Sequence, residues 1–248
     1  MNFLDICKRV DTMSGVQGMI QGVENTIGVQ SVIVNAVAEG FLDLQVERLN
    51  WIFMRRTAKF GTTPGQYTYS IIEAVGPDAT TDLHDPTRPY NVFGRWQKKH
   101  LWDSYFIEAD DAAGNITSRK PLRFIDYRTF RSRFLMSGKD PSVKEGKPSF
   151  ITAHDVTNEL ILHPTPDKRY WVYADYFVEP QLLTRNSEVP ILPASFHLIL
   201  VYRGLERLAN HYSNPSIYQR YSAADAVMLG NLYRDQVPAE VAEKYPVA

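Results

Sequence analysis

Apolar residues recur at helical spacing near both ends of the chain, three or four positions apart. This spacing predicts a short first helix, a second helix over residues 30–49, a third after Pro193 and a last one from Asn214 and Pro215. Their apolar positions are, in chain order, Phe3, Ile6, Cys7 and Val10; Ile33, Val37, Phe41 and Leu44; Leu198, Val201, Tyr202, Leu205, Leu208, Ala209 and Tyr212; and Ile217, Tyr221, Ala224, Met228 and Leu232. We expect the two ends of the chain to pack together.

The middle of the chain is rich in β-branched and aromatic residues, separated by glycine and proline, which is typical of strands and turns. Asp126 is placed to cap a short helix within it. Pro190 and Pro193 form an elbow before the third helix, because each fixes its own backbone angle. The expected strands are residues 51–56, 67–75, 100–109, 149–153, 159–163 and 170–179, and the expected loops are residues 76–89, 110–115 and 138–146.

The order of these segments predicts an α+β protein, in which a helical bundle from both chain ends carries an inserted antiparallel β-rich region. We assign the helical part to residues 1–50 and 186–248, and the β-rich part to residues 51–185.

The composition of the chain argues against several classes of protein. The 248 residues are 44% hydrophobic with a formal charge of −1, so the chain is globular and lacks the overall basicity of many nucleic-acid-binding proteins. No apolar run approaches the roughly 20 residues that span a bilayer. The N-terminal residues do not resemble a secretory signal, and Cys7 is the sole cysteine. We therefore expect synthesis and folding in a reducing cytosol, with no membrane partner.

Few residues suggest catalysis or metal binding. Cys7 could be a nucleophile, but it shares an apolar stripe and is expected to be buried. Glu108, Asp110 and Asp111 could hold Mg²⁺ or act as acid and base, although their setting favours a solvated turn. Residues 61–65 contain glycine without the lysine of a phosphate-binding loop. The histidines, none in a metal-ligand spacing, are His84, His100, His154, His163, His197 and His211. We expect no enzymatic activity, catalytic residue, metal or cofactor.

Basic residues form local clusters with aromatic residues between them, a pattern that can bind nucleic acid. Long basic side chains also cover apolar surface or pair with acids at subunit contacts. The clusters contain Arg55 and Arg56; Arg95, Lys98 and Lys99; and Arg119, Lys120, Arg123, Arg128, Arg131 and Arg133.

The succession of segments resembles the family of phage head-to-tail adaptor, or connector, proteins that dock under the portal of short-tailed phages. No single motif carries the resemblance, which lies in the order of ordinary structural segments along nearly the whole chain. These segments are FLDICKRV (3–10), SGVQG (14–18), VQSVIVNAVAEGFLDLQVERLNWIFMRR (29–56), PLRFIDYRTFRSRF (121–134), KPSFITAHDVTNELILHPTPDKRYWVYADYFVEPQLL (147–183), EVPILPASFHLILVYRGLERLANHY (188–212) and YRDQVP (233–238).

The resemblance implies a structural virion protein at the head–tail junction, made in the host cytoplasm. It implies a ring of about twelve copies under the portal protein, like the portal itself; a repeated head-to-tail contact that closes around an axis is compatible with such a ring. The ring would extend the DNA channel, pass viral DNA without sequence-specific binding, and attach tail, nozzle or fibre proteins. The proline-containing tail, residues 237–248, is expected to reach the portal or a neighbouring copy.

Two other functions remain open at the level of sequence. The first is a DNA-binding or DNA-processing protein that uses the basic residues between Arg119 and Arg133. The second is a hydrolase whose acids include Glu108 and Asp110.

Overall fold

A computed structural model describes residues 1–16, 18–48, 50–79, 90–98, 104–110, 116–136 and 144–237. Several predictions concern residues outside this description: much of the loop at 76–89, the start of the strand at 100–109, the turn at 111–115, most of the loop at 138–146 and the tail after residue 237. The chain divides into two compact units. The helical unit is drawn from Met1–Met54, His84–Tyr90 and Pro180–Ala248, and the β unit from Arg55–Leu83 and Asn91–Glu179.

Helices and strands are both well represented, which confirms the predicted α+β class. The helices are α1 (Phe3–Ser14), α2 (Val29–Glu47), α3 (Ile71–Val75), α4 (Tyr127–Phe130), α5 (His197–His211) and α6 (Pro215–Gln236). The strands are β1 (Arg55–Gly61), β2 (Thr68–Tyr69), β3 (Phe93–Trp96), β4 (Tyr105–Asp110), β5 (Ile116–Pro121), β6 (Arg123–Phe124), β7 (Phe150–Ala153), β8 (Leu160–His163) and β9 (Trp171–Val178).

Helix α5 is the centre of the helical unit, because α1, α2 and α6 all pack against it. A Cβ atom on Gly204 of α5 would lie 2.9 Å from Val37 Cγ2 and 3.1 Å from Val10 Cγ2. A Cβ atom on Gly40 of α2 would lie 3.2 Å from Arg203 Cβ. The two glycines therefore allow α1, α2 and α5 to approach closely, and helices from both chain ends pack together as predicted.

Two glutamine side chains fix the segment that leads into α5. Gln45 Nε2 donates to Gln181 O at 2.9 Å, and Gln181 N donates to Gln45 Oε1 at 2.8 Å. The Gln181 side chain also accepts from Ile191 N, at 2.9 Å. Both glutamines are buried, so these bonds satisfy polar groups that burial would otherwise penalise. The proline elbow is thereby tied to α2.

The β unit contains two sheets. The larger has the order β1-β9-β4-β5, with β3 also pairing with β9, and all its pairs are antiparallel. The smaller has the order β2-β8-β7-β6, in which β6 runs parallel to β7. The predicted hairpin is confirmed as β7 and β8, and the strand predicted at 170–179 as β9.

Helix α4 packs on the smaller sheet through an aromatic cluster. Phe130 is fully buried with Ile125 and Ile161, and Phe134 packs beside them. Asp126 accepts from the backbone N–H groups of residues 128 and 129, which confirms its predicted capping role. The helix continues as a π-helical turn over Arg131–Leu135.

Two strand predictions are partly wrong. Within residues 51–56, Ile52–Met54 forms a 3₁₀ turn, and the strand begins only at Arg55. Trp51 is buried there, and its indole N–H donates to Leu44 O at 2.9 Å. Within residues 67–75 only Thr68–Tyr69 is a strand, because Ser70 and Glu73 form a capping box that starts α3.

The buried face of α5 is wider than the predicted stripe. Ile199 and Leu200 are fully buried, whereas Leu198 and Tyr202 are half-buried and Tyr212 is exposed beyond the helix end. The physical reason is that three helices cover α5, so its apolar contacts extend around the helix.

Gly204→Ala tests the close packing around α5. The added methyl group must displace two β-branched side chains, and overpacking of this kind costs about 1–3 kcal/mol. We expect a lower midpoint of thermal unfolding.

Gly230→Ala in α6 is the matched control, because no atom lies within 4 Å of its Cβ position. Helix propensity alone should make this variant about 0.5–1 kcal/mol more stable. Equal effects of the two substitutions would contradict the packing around Gly204.

Candidate interaction surfaces

The cysteine and the described histidines take part in packing and in hydrogen bonds within the fold. Cys7 is fully buried, and burial raises its pKa to about 12, so its thiolate scarcely forms at neutral pH. His197 lies between the N-terminal amine, 3.0 Å from Nδ1, and Leu192 O, 2.8 Å from Nε2. His163 packs on Phe134 with ring centroids 4.2 Å apart. His154 Nδ1 accepts two backbone N–H groups, and His211 ends α5, whereas His84 and His100 lie outside the described residues.

Of the candidate acids, Glu108 is the one whose side chain the structure describes. Glu108 is 1% exposed, and it accepts bonds from Arg119 Nε at 2.6 Å and from the Tyr173 hydroxyl at 3.0 Å. Asp110 ends β4, where a strand replaces the predicted turn at this residue, and Asp111 lies outside the described residues. The observed role of Glu108 is thus a buried ion pair inside the β unit.

The predicted basic clusters are dispersed over the β unit. Arg55 pairs with buried Asp175, Lys98 lies 3.7 Å from Asp155, and Arg95 lies over the Phe177 ring. Arg119 is on β5 and pairs with Glu108. Lys120 is also on β5, Arg123 is on β6, Arg128 is on α4, and Arg131 and Arg133 are on the π-helical turn, while Lys99 lies outside the described residues. The residues between 119 and 133 therefore do not form one continuous basic helix or strand.

Neither a metal centre nor a membrane span is visible in the described part of the chain. There, no group of three histidine, cysteine or acidic side chains is arranged to hold a metal ion. No described helix has both the length and the apolarity needed to cross a membrane.

Two arginines on α5 form a polar network with the neighbouring helices. Arg207 contacts Glu39 at 2.8 Å and also Asp43, both on α2. Arg203 lies 2.9 Å from Glu47 of α2 and 3.6 Å from Asp225 of α6. The network crosslinks three helices by charge, in addition to their apolar contacts.

Helix α6 exposes a second apolar face. Its buried residues are Tyr221, Asp225 and Leu232, which lie on the side that packs on α5. The middle of the opposite side carries small and apolar residues, with exposed Arg234 two turns beyond Val227, and Val227 is 67% exposed. We call this side the outer face of α6; it consists of Ala223, Ala226, Val227 and Gly230.

Comparison with known proteins identifies the family. Residues 1–242 match the sequence model of a family described as SU10 adaptor protein. The chain belongs to the SU10 adaptor protein family. A comparison with curated individual proteins gives no match. The predicted resemblance to phage head-to-tail adaptors is confirmed at the level of the family, and such adaptors are structural proteins of phages.

Sequence reasoning missed two sets of residues in this adaptor. Arg203 and Arg207 are spaced four residues apart on α5, but their acidic partners on α2 lie more than 150 positions away in the chain. Lys147, Lys168 and Arg169 were likewise absent from the predicted basic clusters, although the fold places them beside β5 and β9. Only the pairing of distant segments reveals either set.

Two carboxyl groups of the adaptor have raised pKa values. Burial raises the pKa of Asp225, and Glu47 adds to the increase while Arg203 opposes it. Burial also raises the pKa of Glu206, and the charge of Asp225 adds to that increase. A raised folded-state pKa means that the folded chain binds the proton more tightly than the unfolded chain. This contribution to stability is present below the unfolded pKa and is lost as the pH rises through the folded pKa.

Asp225→Asn removes one buried ionisable group and should raise the midpoint of thermal unfolding in mildly alkaline buffer. The gain should shrink as the pH falls toward the ordinary carboxyl pKa of about 4. Asp235→Asn, an exposed change on the same helix, should alter the midpoint little at any pH. A gain for Asp225→Asn that is independent of pH would contradict the linkage to its protonation.

Proposed function

We propose that this adaptor is a structural virion protein that forms a ring under the portal, extends the DNA channel and provides the attachment platform for tail components. The family match over residues 1–242 is the observation that carries the proposal, because it covers both the helical and the β unit. A role at the head–tail junction follows from it, with portal, tail or fibre proteins, and neighbouring copies as partners.

The helical unit is the proposed ring-forming part. A heterologous contact repeated around an axis needs two different surfaces on each copy. The outer face of α6 is suited to be one of them, since its small residues allow a helix of the next copy to approach closely and its apolar side chains gain from burial. The β unit then remains available for tail components.

A second candidate function is DNA binding through the residues between Arg119 and Arg133. Arg123, Arg128 and Arg131 are exposed, which favours contact with a polyanion. Their dispersal over β6, α4 and the π-helical turn favours the adaptor function over a dedicated DNA-reading element.

Val227→Asp tests the proposed neighbour contact. The substitution places a charge on the outer face of α6, where it would be buried between copies, and burial of an unpaired charge is costly. We expect the variant to remain folded, because exposed substitutions change stability by about 0.5 kcal/mol or less. Mass photometry with the portal ring should show complexes carrying fewer copies of the variant than of the wild type.

Val156→Asp is the matched control, because the same change is made at a residue that is 83% exposed in the turn between β7 and β8. This variant should assemble with the portal as the wild type does. Undiminished assembly of Val227→Asp would exclude the outer face of α6 as the ring contact, and failure of the wild type to join the portal would reject the adaptor function itself.

A further inference from the structure

Six basic side chains lie near one end of the larger sheet of the β unit, three beside each of its faces. There Gly61 pairs with Trp171, Trp171 with Glu108 and Glu108 with Arg119, so the four residues form one row across the strands. The basic side chains come from β1, from β5 and from the segments that precede β7 and β9. We call them the basic end surface; they are Lys59, Arg119, Lys120, Lys147, Lys168 and Arg169.

Three of these cations are held against aromatic rings on one face of the sheet. Lys59 Nζ lies 4.8 Å from the centroid of the Trp171 ring, and the Arg169 guanidinium lies 4.5 Å from it. The Arg119 guanidinium lies 5.0 Å from the centroid of Phe106. These contacts fix the positions of the charges. They also cover the rings, so the surface presents positive charge rather than open aromatic faces.

The other three cations gather around Tyr170 and Ser118. Lys147 Nζ donates to Ser118 Oγ at 2.7 Å and lies 5.8 Å from the centroid of the Tyr170 ring, while Lys168 Nζ lies 5.6 Å from the same centroid. Lys120 shares a face of β5 with Ser118. The pKa of Lys147 is lowered by burial and by the charges of Lys120 and Lys168, so both of these charges lie close enough to act unfavourably on its ammonium group.

Neighbouring carboxylates do not relieve this repulsion within the described structure. Asp167 accepts a bond from the Tyr170 hydroxyl at 2.7 Å, and Glu108 is paired with Arg119. Among described side chains, no carboxylate lies within 4.0 Å of the ammonium groups of Lys120, Lys147 or Lys168. Crowded like charges are unfavourable in the free protein, and a bound polyanion would make them favourable.

Protection of an exposed strand edge explains only part of the surface. Basic residues on edge strands prevent unwanted pairing; Lys59 lies on one such strand, β1, and Arg119 and Lys120 lie on the other, β5. Lys168 and Arg169 precede the interior strand β9 and do not serve that purpose, and Lys147 reaches Ser118 of β5 from the separate segment before β7. Their arrival at the same end of the sheet therefore needs another reason.

We propose that the basic end surface binds the phosphate backbone of double-stranded DNA without reading its sequence. Closely spaced phosphates match several lysines, whereas lysine is depleted at protein–protein interfaces. The occupied ring faces disfavour stacking of unpaired bases, which single-strand binding would use. The inference rests on the proposed function for the presence of viral DNA near the adaptor, but the binding itself belongs to a single chain.

The test is fluorescence anisotropy of the full chain with a short DNA duplex of arbitrary sequence, over about 50–200 mM salt. The double variant Lys147→Gln/Lys168→Gln should bind more weakly, and the slope of log affinity against log salt should become less steep by about two. Arg169→Gln, a single change at an exposed residue, should reduce the slope by about one. Arg119 is left unchanged because its loss would leave the buried Glu108 without its ion-pair partner.

Arg128→Gln/Arg131→Gln is the matched control, since it removes the same charge from exposed residues of α4 and the π-helical turn. It should keep the wild-type slope. An equal loss in this control, no DNA binding by the wild type, or equally tight binding of poly-glutamate would overturn the inference, the last result pointing to an acidic protein. Portal assembly of the lysine variant is measured separately, so a failure of the adaptor function remains distinguishable.

Discussion

The close approach of α2 to α5 is the constraint on which the helical unit depends. Gly40 and Gly204 leave no side chain where the two helices meet, so Arg203, Val37 and Val10 occupy that space. The approach brings Arg203 and Arg207 within reach of acids on α2, and Arg203 also reaches Asp225 on α6. A larger residue at either glycine would separate the helices and stretch these ion pairs, so the charge network depends on the close packing of the helices.

This arrangement explains why α6 can present two different faces. One side of α6 packs on α5 and contains its buried residues Tyr221, Asp225 and Leu232. The opposite side carries exposed Val227 among small residues. A helix fixed on one side and lined with small residues in the middle of the other is suited to a repeated contact between copies, which is what a ring under a portal requires. The β unit contributes a different surface, in which cations are fixed by aromatic rings at one end of the larger sheet.

Much of the fold could be predicted because residues close together in the sequence determine its helices, caps and hairpin. The stripe from Phe3 to Val10, the cap at Asp126 and the hairpin of β7 and β8 each depend on residues close together in sequence. The segment at 67–75 was misassigned because its β-branched and aromatic residues outweighed the capping box of Ser70 and Glu73. The sequence pattern predicts a strand at Trp51, whereas its indole N–H donates a hydrogen bond to Leu44 O near the end of α2.

The candidate surfaces were less predictable, because distant segments build them. Glu108 looked like a member of an acidic turn until β5 placed Arg119 beside it. The basic end surface draws on four separate segments, and its lysines have no common spacing.

The central claim is that the outer face of α6 contacts the next copy in a ring under the portal. Electron cryo-microscopy of the adaptor bound to its portal ring tests it most directly. We expect a closed ring in which Val227 of each copy is buried against its neighbour. A ring that leaves Val227 exposed to solvent, or a portal without bound adaptor, would contradict it.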